Sequence, residues 1–145
     1  FIGNAMDILG EKIKLHNKQE IEGLKILKIT SENNLDTRYN SLFQGSFALE
    51  KHIIVGYKSQ SKQMKSEEKP LFTVIKEKNN THQEGVWNHN FFGTNLLGPI
   101  LILNPYFTKY IFSLLNFKKK LYSEKELITA YEKRLKEYQN PEIKY

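Results

Sequence analysis

Between Glu84 and Pro105 the chain is cut into pieces too short for a long helix and too apolar for a surface loop. Gly85, Gly93, Gly98 and Pro99 interrupt the runs Val86-Trp87, Phe91-Phe92, Leu96-Leu97 and Ile100-Leu101. Short apolar runs bounded by turn residues read as buried strands joined by tight turns. Asn104-Pro105 then carries a helix-start pattern, an asparagine N-cap before a proline whose missing N–H costs nothing in the first turn. A strand, a turn and a helix start in close order also mark where open α/β sheets present functional side chains, beyond their strand ends.

The flanking sequence gives the rest of the organisation. Ile2, Ala5, Met6 and Leu9 share a helical face, so Phe1 to Gly10 reads as a short helix with Gly10 as its C-cap. Glu11 to Leu15 alternates as a half-buried strand does, and Ile21, Leu24, Ile26, Leu27 and Ile29 mark a second strand region, with Gly23 as a bend. Ser31 to Asp36 reads as a loop. Leu42 to Leu49 and His52 to Tyr57 read as a strand pair, with Ile53-Ile54-Val55 as its clearest β signal. Lys58 to Lys69 is poor in apolar residues and is expected on the surface, Leu71 to Ile75 is a short strand, and Lys76 to Gln83 is a polar loop. Phe107, Tyr110, Ile111, Leu114 and Leu115 fall on one face of a first C-terminal helix. Ser123 and Glu126 match a capping box for a second helix, which runs to about Gln139 with the stripe Leu127, Ala130, Tyr131, Leu135, Tyr138 and is stopped by Pro141. The class is α/β or α+β, strand-rich in the middle with helices at the end.

Length and composition narrow the possibilities. The 145 residues fit one domain, 1–145. No apolar run approaches the ~18–20 residues of a spanning helix, the longest candidate being Leu96 to Ile102. No basic stretch precedes an apolar one at the start, so a cytoplasmic protein without membrane contact is expected. Since residue 1 is Phe, the chain is expected to start inside a longer product. Having no cysteine, it has no disulfide, zinc–thiolate site, iron–sulfur cluster or cysteine nucleophile. The net charge of +6 comes mainly from lysine, with arginine only at Arg38 and Arg134, and reads as the solvated surface of a lysine-rich protein. His16, His52, His82 and His89 match no metal-binding spacing, and neither a G-x-S-x-G elbow nor a Walker loop is present, so no metal or cofactor is expected. Asn79-Asn80-Thr81 matches a glycosylation sequon, which has meaning only on secretion. Lys62, Lys65, Lys69, Lys76 and Lys78 form a loose basic region without the interleaved aromatics of a single-strand nucleic-acid platform.

Glu84-Gly85-Val86, Phe92-Gly93-Thr94, Gly98-Pro99 and Asn104-Pro105 together resemble the C-terminal part of class I glutamine amidotransferase domains. The resemblance is to the cobyric-acid-synthase-like branch, and within it to the glutaminase subunits of lipid II isoglutaminyl synthases. That group carries an E-G-V stretch, an F-G-[ST] strand, a histidine-glycine-proline turn and a helix-opening Asn. Upstream, Glu22-Gly23-Leu24, Gly56-Tyr57 and Glu68-Lys69-Pro70-Leu71 follow the family's order. Gly3 to Gly10 resembles its nucleophile elbow, C-G-G-Y-Q-x-L-G. The family-like part covers about residues 1–117, and 118–145 is a helical extension. The resemblance implies a three-layer, flavodoxin-like domain that lacks the family's N-terminal strands and ends in two helices.

The departures bear on activity. In the family the elbow cysteine attacks the glutamine side-chain amide, and a histidine moves the protons. Those positions are Gly3 and Leu97 here, and the glutamate of the family's G-[FY]-E pattern is Lys58. The resemblance therefore implies a domain that cannot release ammonia and that retains a binding role. Its partner would be a Mur-ligase-like, amide-forming cell-wall subunit, or glutamine or a related small ligand. A surviving pocket is expected between Gly3–Met6 and the Asn95–Leu97 loop, with Asn4, Tyr57, Gln60 and Asn95 as binding residues. Two other readings stay open: an active amidotransferase, or other enzyme on this fold, working through a different site, and a basic nucleic-acid-binding module, whose affinity would fall steeply with salt.

Overall fold

The longest alternating stretch of the sequence builds the longest ladder of the protein. The computed structural model describes residues 2–33, 36, 38–78, 81–140 and 142, with the backbone alone at Asn4. Strands β4 (Tyr39–Phe47) and β5 (Glu50–Gln60) form an antiparallel hairpin in which Phe43 faces Gly56 and Gly45 faces Ile54. Period-two alternation puts Phe43, Phe47 and Ile54 on one side of this hairpin and Leu42, Ile53 and Val55 on the other. Both sides are covered, which is why Ile54 and Val55 are buried although they are neighbours.

Strands β7 (Phe72–Lys76), β8 (Gln83–Glu84) and β11 (Leu96–Leu97) complete an antiparallel five-stranded sheet in the order β11-β5-β4-β7-β8. A second sheet, in the order β2-β1-β3-β6, contains β1 (Lys12–Lys14), β2 (Glu20–Glu22), β3 (Ile29–Asn33) and β6 (Lys62–Ser66). Among the described residues its β1–β3 pairing is the one parallel ladder. Only Ser61 separates β5 from β6, so the chain curls directly from one sheet into the other. Strands β9 (Val86–Asn88) and β10 (Phe91–Gly93) form a small ribbon. Gly85 makes the sharp entry to it at φ +71°, where a Cβ would lie 2.3 Å from the Gly93 carbonyl oxygen.

Three helices follow: α1 (Ile100–Leu103), α2 (Pro105–Leu114) and α3 (Glu124–Gln139). Helix α2 drives Phe107 into the aromatic core, 5.2 Å from Phe47 and 5.5 Å from Phe72 between ring centroids, in edge-on geometries. Helix α3 lays Tyr131 and Tyr138 over Val55, and the Tyr131 hydroxyl donates to the Ile53 carbonyl at 2.7 Å. Each fully buried aromatic or aliphatic side chain contributes about 1.5–3 kcal/mol. The result is a mixed α/β protein, mostly strands in curled sheets. No helix among the described residues is long and apolar enough to cross a membrane.

Several sequence expectations are corrected. The first helix is a 3₁₀ helix over Gly3–Leu9, and Gly10 closes it in an extended conformation. Lys58 to Lys69 is not a surface excursion: β5 continues through Gln60, β6 follows, and Lys58 and Lys62 are buried. Ser31 to Asn33 belongs to β3 rather than to a loop, and β7 extends to Lys76 with Glu77 buried beyond it. In the second strand region Ile21, Leu24 and Ile26 are exposed, whereas Leu27 and Ile29 are buried core, and the region divides into β2 and the start of β3. A third, one-turn helix precedes the two expected. Asn79 and Asn80 of the sequon lie outside the described residues, as does Pro141.

Neither expected side-chain cap forms. Ser123 sits at φ +50° and its hydroxyl caps nothing. The Asn104 side chain turns away from its own helix. Its Oδ1 accepts the Val55 N–H at 2.8 Å, while its Nδ2 donates to the Val55 and Ile100 carbonyls, each at 2.8 Å. This pairing fixes the helices to the middle of β5. Asn104→Ala strands three buried backbone groups and is expected to cost about 2–4 kcal/mol. In urea unfolding it should lower the midpoint with the slope unchanged, whereas Ser123→Ala should stay within about 0.5 kcal/mol. Equal shifts for the two variants would refute this account.

Candidate functional site

Where β5 leaves the aromatic core its inward face becomes polar. Lys58 follows Ile54 and Gly56 on that face and is only 3% exposed. Its ammonium lies 2.6 Å from Glu84 Oε2 and 2.9 Å from Glu77 Oε2, both carboxylates being equally hidden. Burial works against the charge on Lys58, but Glu84 and then Glu77 more than offset it and hold the ammonium above its ordinary 10.5. Glu84 also accepts the Thr94 hydroxyl at 3.0 Å and the Asn95 backbone N–H at 2.7 Å. One carboxylate thus fixes the chain on the approach to β11. Glu77 takes a further hydrogen bond from the Thr81 hydroxyl.

A second buried pair lies across the same space. The Lys62 ammonium, at the start of β6, is 2.6 Å from Asp7 Oδ1. Asp7 belongs to the 3₁₀ helix and also accepts the Ser31 hydroxyl at 2.7 Å. The short first helix is therefore tied to β3 and β6 by charge and hydrogen bonds, and Met6 beside it is fully buried against Leu27, Ile29 and Val86.

Beside Lys62 is a cavity of about 300 Å³ lined by Ile2, Gly3, Arg38, Ser59, Gln60, Lys62, Asn95 and Leu97. It adjoins a larger polar groove of about 760 Å³ that shares Arg38, Gln60, Lys62 and Asn95 with it. Ile2 pairs with Thr94 as in a parallel strand, and the Gly3 N–H donates to the Thr94 carbonyl at 2.7 Å. Gly3 then turns at φ +62°, and a Cβ added there would meet nothing within 4 Å. The turn thus presents its first residue to open space. Leu97 comes to the same cavity because β11 pairs with β5, opposite Tyr57.

Four of the residues singled out in the sequence are thereby brought together: Gly3, Gln60, Asn95 and Leu97. Gln60 Oε1 and Asn95 Oδ1 are both buried and have no hydrogen-bond partner among the described residues. Two acceptors without donors, in one cavity wall, suit a ligand that offers N–H groups. Tyr57 is not part of that wall and is 37% exposed. The Asn4 side chain lies outside the described residues. Lys58, expected as a charge reversal near the pocket, is neutralised by Glu84 and Glu77 in the adjoining groove.

The sequence reading missed Asp7, Arg38, Lys62 and Glu77. The one available signal was the alternation Lys58, Gln60, Lys62, a strand with its polar residues facing inward. Chemically the wall can bind but is poorly equipped for nucleophilic attack. Ser59 Oγ accepts the Arg38 Nε–H at 2.9 Å, the Lys62 ammonium is held by Asp7, and no histidine lines the cavity. His82 and His89 are exposed, and no group of three metal-binding side chains occurs among the described residues.

Lys58→Met leaves two carboxylates facing each other without a cation and is expected to cost about 3–5 kcal/mol. The pH dependence has a definite sign. A lysine held above 10.5 when folded gives its full contribution below that pH and loses it as pH rises through the raised value. Lys58→Arg keeps its charge throughout and should flatten the alkaline loss of stability in chemical denaturation above about pH 10.5. An identical alkaline profile for the two proteins would show that Lys58 is not the group responsible. No family model matches the chain, and no curated protein matches it.

Proposed function

We propose that the chain is a catalytically inactive class I glutamine amidotransferase-like domain. On this reading it retains a binding role. It holds glutamine or a related small ligand and serves a Mur-ligase-like partner that forms amides.

One observation carries the proposal. Gly3 and Leu97, which the motifs align with the family's nucleophile and helper histidine, are far apart in sequence and line one cavity. The left-handed turn at Gly3, directly after a strand-like residue and open on its side-chain side, has the shape that an exposed nucleophile needs. The chemistry is nevertheless absent. Glycine carries no nucleophile, leucine moves no proton, and the sequence holds no cysteine to substitute. Binding needs neither group. The free acceptors of Gln60 and Asn95 complement the amide and ammonium N–H groups of an amino acid, and Arg38 at the same wall complements a carboxylate.

The test is calorimetric titration of the chain with L-glutamine beside an assay of ammonia release. Binding without ammonia above the solvent rate is expected. Gln60→Ala and Asn95→Ala should each weaken binding about 3–10-fold, the value of one hydrogen bond. Tyr57→Ala, outside the cavity lining, should leave the affinity alone. Glutamine hydrolysis that survives both cavity substitutions would overturn the proposal, and so would a complete lack of amino-acid binding.

A further inference from the structure

The turn from α2 to α3 combines three properties. The first is shape. Helix α2 ends with the Asn116 N–H on the Ser113 carbonyl at 3.0 Å and the Phe117 N–H on the Phe112 carbonyl at 2.9 Å. Asn116 is left-handed at φ +54°. This is a Schellman closure, and its usual apolar contact is present, with Phe117 edge-on to Phe112 at 5.0 Å. Glu124, in the first turn of α3, holds Lys109 of α2 at 2.7 Å and closes the other side. The turn is therefore fixed by its own bonds.

The second property is exposed apolar surface. Leu115 is 71% exposed and Tyr122 is 92% exposed, with Leu114 and Phe117 about half exposed beside them. Water-facing large side chains concentrated in one short turn mark an interaction surface. The third is charge. Lys118, Lys119 and Lys120 are consecutive and exposed, and none is in an ion pair among the described residues. With Lys109 they surround a cavity of about 260 Å³ whose one carboxylate, Glu124, is already taken by Lys109.

We propose that this turn docks the protein on an anionic lipid bilayer, with Leu115 and Tyr122 entering the interface and Lys118 to Lys120 meeting lipid phosphates. Apolar groups flanking a lysine run on both sides match a bilayer surface, where acyl chains lie directly beneath phosphates. A nucleic-acid strand would match the lysines but would leave the exposed leucines in water. This differs from the sequence expectation of no membrane contact, which rests on the lack of a spanning segment. Surface docking requires none. The proposal is independent of the cavity beside Gly3 and of any amidotransferase ancestry.

The experiment is co-sedimentation of the chain with vesicles of phosphatidylcholine alone or with about a third phosphatidylserine, at about 0.1 M salt, where charges remain visible. Binding to the phosphatidylserine vesicles only is expected. The Lys118→Gln, Lys119→Gln, Lys120→Gln triple variant should lose about a hundred-fold in partitioning, roughly five-fold per lysine. Leu115→Ser should weaken it several-fold. All four positions are exposed, so the melting temperature should stay unchanged and report that the fold is intact. Leu115→Trp supplies a second readout, a blue shift of emission on adding phosphatidylserine vesicles. Equal binding to both vesicle types, or to neither, overturns the proposal. So does a triple variant that loses single-stranded RNA binding or self-association while vesicle binding is absent in the parent chain.

Discussion

The carboxylate of Glu84 is the point on which the cavity end of this protein depends. It meets the Lys58 ammonium, the Thr94 hydroxyl and the Asn95 amide at once, and so locks β5, β8 and the approach to β11 together. Removing a charge from water is expensive and is tolerated only with close partners and satisfied lone pairs. Glu84 has both. The aromatic core of Phe43, Phe47, Phe72 and Phe107 adjoins it directly: Phe72 faces Glu84 in the β7–β8 ladder, and the Lys58 ammonium is 5.8 Å from the centre of the Phe43 ring. One sheet therefore joins an oily part that supplies stability to an ionic end that leaves room for a cavity.

That division governs how much of the protein is legible in its sequence. The β4–β5 hairpin, the short strands after Glu84 and the tyrosine stripe of α3 were visible because apolar spacing reports which side of an element is buried. The ionic end was not visible, because there the same spacing is filled by Lys58, Gln60 and Lys62. Their partners, Asp7, Glu77 and Glu84, come from distant segments, and no local pattern pairs them. The helix caps failed for a related reason. Asn104 has the right identity for a cap, but two backbone groups of Val55 compete for its side chain and win. Gly3 and Leu97 could be connected only through motifs, since neither has a chemistry that spacing could detect.

The charge balance changes meaning once the interior is known. Lys58 and Lys62 are counted in the net +6, yet neither reaches solvent. Together with Asp7, Glu77 and Glu84 they form a buried group with one formal negative charge in excess. The rest of the molecule is correspondingly more basic than the overall count, and three of its lysines are gathered on the α2–α3 turn. The scattered positive charge of the sequence thus separates into an internal scaffold and an external patch.

The hold of the C-terminal helices on β5 has a kinetic consequence. Val55 and Asn104 are 49 residues apart, and Ile53 and Tyr131 are 78 apart. During synthesis β5 emerges well before the groups that cover its outer face. The hairpin must wait with Ile53 and Val55 uncovered, and closing such distant contacts is slow compared with forming the hairpin itself. Until the helices arrive the strand is open to mispairing with other chains. Arrival of α3 therefore acts as the completing step of folding, and a chaperone that shields β5 in the interval would have a defined surface to hold.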